Sequence, residues 1–265
     1  MALARFIHGH LRSGVLLGAA LVLVTLLAPP LHALGIGVSV SSVDDQGIEV
    51  VQTGEVETGT PGPDGYFHFG LADLPPHISS TGRWQFSDFS GTSSQAASLA
   101  HSFGVISLLP GKQSITLTLS IPTDALGVAT TLTGGSAFGG VTDLNGDGGS
   151  VSTSGPGTAF YTSLIDGEDF MSLFFDSTSV NVASFLSDDL GVAEEFGMPS
   201  PSFPGPAVIN SIGIRFSFDL TGSDEATGFG LFEVSSVPEP ASGMLIGFAL
   251  AVLAGRKLRA KTRLA

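Results

Sequence analysis

Ile115-Thr116-Leu117-Thr118-Leu119-Ser120-Ile121 alternates apolar and hydroxyl side chains without a break. Successive side chains of a strand point to opposite faces, so the aliphatic residues share one face and the hydroxyls the other. The same period recurs in Ile212-Gly213-Ile214-Arg215-Phe216-Ser217-Phe218-Asp219-Leu220. Ile115, Leu117 and Leu119 are therefore expected to face one core with Ile214, Phe216 and Phe218. Shorter or weaker alternation marks Ile36 to Val43, Ile48 to Thr53, Tyr66 to Phe69, Phe103 to Leu109, Phe170 to Asp176, Val180 to Phe185 and Phe229 to Val234. Clusters of Gly, Pro, Asp and Ser separate these runs. Many short strands with turn signals between them predict an all-β fold, an antiparallel, jelly-roll-like β-sandwich.

Several details follow from the same reading. Ile212 to Leu220 and Thr227 to Val234 are expected to close a hairpin across Thr221 to Ala226. Thr92 to His101 and Ser184 to Phe196 are the short helix candidates of the body. Thr58 to Gly65 and Gly134 to Gly157 read as loops, and the proline-rich Met198 to Pro206 as a link or a cap. No period signals a repeat architecture.

The chain has 265 residues, no cysteine and a net charge of −14. Its charges are unevenly placed. All 24 acidic residues lie between Leu34 and Pro240, where the basic residues are only Arg83, Lys112 and Arg215. Nucleic-acid binding needs Lys and Arg to neutralise phosphate, so this body is no nucleic-acid partner. It would attract cations and repel anionic surfaces. Without cysteine, stability must come from burial, with or without bound cations.

The N-terminus reads as an export signal. Arg5 and Arg12 give a positive start, Gly14 to Ala28 an apolar stretch, and Leu31-His32-Ala33 a cleavage site at Ala33. This divides the chain into a signal peptide at 1–33 with a short helix, a body at 34–236 and a tail at 237–265.

The tail reads Val237-Pro238-Glu239-Pro240, then an apolar run from Ala241 to Ala254, then basic residues beginning Arg256, Lys257 and Arg259. As a helix the run would span about 21 Å at ~1.5 Å per residue. A bilayer core is roughly 30 Å thick, so this is a short, transient anchor. The prolines stop the helix from extending N-terminally. The basic cluster stays cytoplasmic, which leaves the Pro-Glu-Pro motif exposed on the outer face. Motif, apolar helix and basic stop in this order resemble a PEP-CTERM sorting domain, a tail also labelled an ice-binding protein C-terminal domain. The resemblance covers about a tenth of the chain. It implies an exosortase as partner, a membrane-bound intermediate, and release to the surface or extracellular matrix of a Gram-negative, exopolysaccharide-producing bacterium. It does not imply ice binding.

Within the body, Asp143-Leu144-Asn145-Gly146-Asp147-Gly148 matches the first half of a calcium loop. Oxygens of Asp143, Asn145 and Asp147 can converge on one cation, and Gly148 at position six permits the sharp turn. Position twelve is Ser154, where an EF-hand carries a bidentate Glu. The motif is thus either a weak calcium site or an acidic turn without an ion. The body histidines His68, His77 and His101 match no zinc spacing, and no Gly-x-Ser-x-Gly occurs. The pairs Asp188-Asp189 and Glu194-Glu195 could serve glycoside hydrolysis only if a cleft brought carboxylates together. Trp84, Tyr66 and Tyr161 are the residues for an aromatic sugar platform. No catalytic residue is assigned. The expected function is a non-catalytic surface or matrix protein associated with exopolysaccharide. The alternative is a secreted carbohydrate-binding or carbohydrate-active module on the same sandwich.

Overall fold

The strand β6, Gln113–Pro122, carries the alternating run, and its burial alternates with the sequence: Ile115, Leu117, Leu119 and Ile121 are fully buried. Five strands precede it: β1 Gly35–Asp44, β2 Glu49–Glu57, β3 Phe67–Gly70, β4 Trp84–Ser94 and β5 Ser98–Ser107. After it come β7 Thr131–Thr142, β8 Gly149–Ser152, β9 Ala159–Ile165, β10 Glu168–Phe175 and β11 Ser179–Val182. The short strands β12 Ser187–Asp189, β13 Glu194–Phe196 and β14 Phe203–Gly205 lead to the long strands β15 Ser211–Leu220 and β16 Glu225–Ser236. The structure is a computed structural model that describes residues 35–44, 49–57, 61–73, 78–94, 97–123, 131–155, 157–175 and 178–237. The signal peptide with Ala33, the residues Pro238 to Pro240, the apolar helix and the basic stop lie outside the described residues, as does His77. Among the described residues, no helix is long and apolar enough to cross a membrane.

Two antiparallel sheets form a sandwich. The first runs β10-β9-β15-β6-β1-β2, with β8 and β11 attached beside β15. The second runs β3-β4-β5-β16-β7, and β12, β13 and β14 pair in turn along the free side of β7. Three short segments thus cover one long edge, which limits the unpaired backbone open to another chain. In the first sheet Ile214 lies opposite Leu119, Phe216 opposite Leu117 and Phe218 opposite Ile115, all completely buried. The period-two pattern therefore gave both the strands and the core face. Phe103 of the second sheet meets Phe216 edge-on, with ring centroids 4.8 Å apart, and lies nearly parallel to Phe218 at 5.8 Å.

The local expectations need four corrections. β15 and β16 are no hairpin: they belong to different sheets, and the turn between them crosses the sandwich. The two helix candidates are strands and connections, because Thr92 to His101 is the end of β4 and the start of β5, while Ser184 to Phe196 holds β12 and β13. Gly134 to Gly157 contains most of β7 and all of β8 rather than one loop. Its glycines are a packing requirement. A Cβ on Gly139 would come within 2.6 Å of the Phe160 ring and 2.7 Å of Leu190. Lastly, Trp84 and Tyr161 are core residues, 1% and 0% exposed, so neither forms a sugar platform. Tyr66 remains partly exposed.

Candidate functional site

The acidic loop joins β7 in one sheet to β8 in the other, and its structure follows from that crossing. Thr142 ends its pairing opposite Glu225, so the next residue on each side, Asp143 and Asp224, meet where both chains leave the second sheet. On the first sheet, β8 pairs with the end of β15, with Val151 opposite Leu220. The loop 143–148 and the turn 221–224 therefore cross side by side. They are tied together by Thr221 N–H donating to the Ser150 carbonyl at 3.1 Å and Ser150 N–H donating to Thr221 Oγ1 at 2.6 Å.

Asp143 organises the loop. Its Oδ1 accepts N–H groups of Asn145 and Gly146 at 3.2 and 2.9 Å, and its Oδ2 those of Gly148 and Phe185 at 3.2 and 2.7 Å. Burial acts to raise its pKa, but these four donors outweigh it and hold the carboxyl below the usual range. Gly146 and Gly148 sit at φ +86° and +93°, backbone that a side-chain-bearing residue rarely adopts. Asn145 Oδ1 accepts the Asp147 N–H at 3.0 Å, and its amide reaches the Gly222 carbonyl at 3.5 Å.

Asp143 and Asp147 lie close together, and Asp224 lies beside them. Ligand oxygens of these three residues all lie within 4.8 Å of one another. Asp224 is fully buried. Desolvation raises its pKa; hydrogen bonds from Thr221 and from Leu144 N–H oppose that, and the neighbouring Asp143 charge adds to it. One carboxyl held ionised beside one resisting ionisation is what a cation would relieve. All the donors are oxygens, a set that suits a hard divalent cation such as calcium. A cation there would compete with the four N–H donors already on Asp143, and Asp224 offers a carboxylate where the loop itself has only Ser154. Sequence spacing could not reveal Asp224, since it lies on a turn 81 positions beyond Asp143 and arrives through strand register.

The other candidates separate. Asp188 and Asp189 lie exposed on β12, and Glu194 and Glu195 exposed on β13. Glu194 Oε2 accepts the Phe174 N–H at 2.6 Å, at a residue with φ +52°, so it supports strained backbone. His68 pairs with Asp64 at 2.9 Å on the surface. His101 is buried among Phe69, Phe89, Phe103 and Phe216, with Nδ1 3.1 Å from the Ser90 carbonyl and Nε2 without a partner.

At the other end of the body, β16 runs between β5 and β7 and ends at Ser236, with Val237 following. Residues 236–260 match the family model of the PEP-CTERM protein-sorting motif. This motif implies exosortase-dependent export to the cell surface. No curated protein matches the chain by sequence. Among solved structures, TmCBM61 in complex with beta-1,4-galactotriose is similar over 62% of this chain and 97% of its own, at 12% identity and a TM-score of 0.21. The infectious bursal disease virus Gx strain structure is similar over 78% of this chain and 57% of its own, at 13% identity and a TM-score of 0.27. At such scores neither likeness bears on function.

Proposed function

We propose that the chain is an exported, non-catalytic surface or matrix protein whose sandwich is released from a transient membrane anchor by an exosortase and retained with extracellular polysaccharide. One observation carries this reading. The last core strand, β16, ends at Ser236, and the sorting motif occupies 236–260. Cutting after the motif would leave every strand of the sandwich in place. The order of strands supports the jelly-roll reading. β5 and β6 form one ribbon with β16 and β15, and that ribbon folds across both sheets. Calcium is the proposed ion of the Asp143, Asn145, Asp147 and Asp224 group, where it would brace the two crossovers. The test of sorting is cell fractionation. Replacing Pro238, Glu239 and Pro240 by Ala is expected to trap the protein in the inner membrane. Release of that variant at the wild-type rate would count against the proposal.

A second reading, a carbohydrate-binding module, is favoured by the outer face of the second sheet, where small polar residues surround an exposed phenylalanine.

A further inference from the structure

The register of the second sheet places two rows of outward-facing side chains beside each other. One row runs His68, Thr92, Ala100, Leu231, Ser136 across β3, β4, β5, β16 and β7. The next runs Gly70, Ser90, Ser102, Phe229, Phe138 across the same strands. Over β4 and β5 both rows hold only Ser, Thr and Ala. Bulkier residues, His68 and Phe229, stand on the flanking strands. The result is a trough of about 340 Å³ lined by His68, Ser90, Thr92, Ala100, Ser102 and Phe229. Its walls stand on strands three spacings apart, about 14 Å at ~4.8 Å per strand.

The chemistry of this trough is specific. Phe229 is 38% exposed in mid-strand on a central strand, an apolar surface held by rigid backbone. Ser90 and Ser102 hydroxyls are 2.8 Å apart and bond each other, and Ser102 Oγ donates to the Ser90 carbonyl at 3.5 Å, which leaves acceptor lone pairs toward solvent. His68 is fixed by Asp64 at the rim. None of Arg83, Lys112 or Arg215 is among the lining residues. An aromatic face with a few placed hydroxyls suits a ligand that is apolar on one side and hydroxylated at its edges. The acidic body, with no Lys or Arg lining the trough, disfavours a polyanion.

We infer that this trough binds a neutral polysaccharide, one sugar ring lying on Phe229 and neighbouring hydroxyls meeting Ser90, Thr92 and Ser102. The inference rests on the polysaccharide-retention part of the proposed function and names where that contact is made.

Native gels polymerised with the host's own extracellular polysaccharide test it, the polymer first split on an anion exchanger into neutral and acidic fractions. Mature protein purified from the host is expected to be retarded by the neutral fraction. Phe229→Ala and Ala100→Gln, each checked for folding by circular dichroism, should lose at least tenfold in apparent affinity. Thr118→Ala, on the opposite sheet, should bind like wild type. Wild-type retardation of folded Phe229→Ala and Ala100→Gln would overturn the trough while leaving polysaccharide retention standing. Retardation by the acidic fraction alone would overturn the neutral ligand. Retardation by neither fraction would overturn both trough and retention, leaving sorting untouched.

Discussion

At the residue scale, Asp143 and Asp147 do different work although both belong to one acidic group. Asp143 holds four backbone N–H groups, so Asp143→Ala is expected to destabilise the body even without calcium. The exposed Asp147→Ala should leave the calcium-free melting temperature unchanged and reduce only the calcium-induced rise. Titration at fixed ionic strength, with magnesium as the control for general charge screening, separates the two. Equal calcium responses in wild type and both variants would contradict the site. Asp224 adds a pH signature. Its raised pKa means the folded state holds a proton that the unfolded chain has lost. Without calcium, that contribution is present below the ordinary carboxylate value and disappears as pH rises through the raised one. The calcium-dependent rise should therefore grow with pH across that window and vanish in Asp224→Asn. His101 titrates in the opposite sense. Burial pushes its pKa down to about 3 from 6.5. The unfolded chain takes up a proton first, so stability is lost as pH falls from about 6.5 toward 3. His101→Phe should flatten urea-denaturation stability between pH 7 and 4.5, above the range where Asp64, Asp143 and Asp166, carboxyls held below the ordinary range by backbone N–H donors, protonate. An unchanged slope would exclude His101 as its source.

At the scale of elements, the centre of the sandwich is aromatic. Phe216 on β15 touches Phe103, Phe160, Tyr161 and His101. Phe216→Ala should cost about 3–5 kcal/mol in chemical denaturation. The glycines of β16 are its counterpart. A Cβ on Gly230 would lie 2.7 Å from Phe216 and 2.9 Å from Tyr161, and one on Gly228 would collide with the Phe103 ring. Gly228→Ala is thus expected to destabilise by roughly 1–3 kcal/mol through overpacking; a gain in stability would refute that packing. This explains what the sequence could reveal. β6 and β15 alternate cleanly, so strand and core face were legible together. β7 hid because two of its inner positions, Gly135 and Gly139, are glycines whose space is filled by the rings of Phe196 and Phe160, and glycine in sequence reads as a turn. The β15–β16 crossover resembled a hairpin because the four residues 221–224 can turn back within a sheet or cross to the other one. Only the pairing of each strand with its neighbours decides which.

For the whole molecule, two levels of information were legible to different degrees. The sorting tail is linear, its motif, apolar run and basic stop being read in order, so sequence sufficed. The binding surfaces are assembled by register. Asp224 joins Asp143 through the last rung of β7 and β16, and Phe229 joins His68 across two intervening strands. No local motif encodes either meeting. The chain is expected to mature into a sandwich freed of both its apolar ends. Intact-mass measurement of the protein recovered from host cells, with and without an active exosortase, tests it most directly. With the enzyme, the predicted species begins after Ala33 and lacks Ala241 to Ala265; without it, the tail remains attached. A released protein that keeps Ala241 to Ala265 in cells with an active exosortase would contradict that maturation.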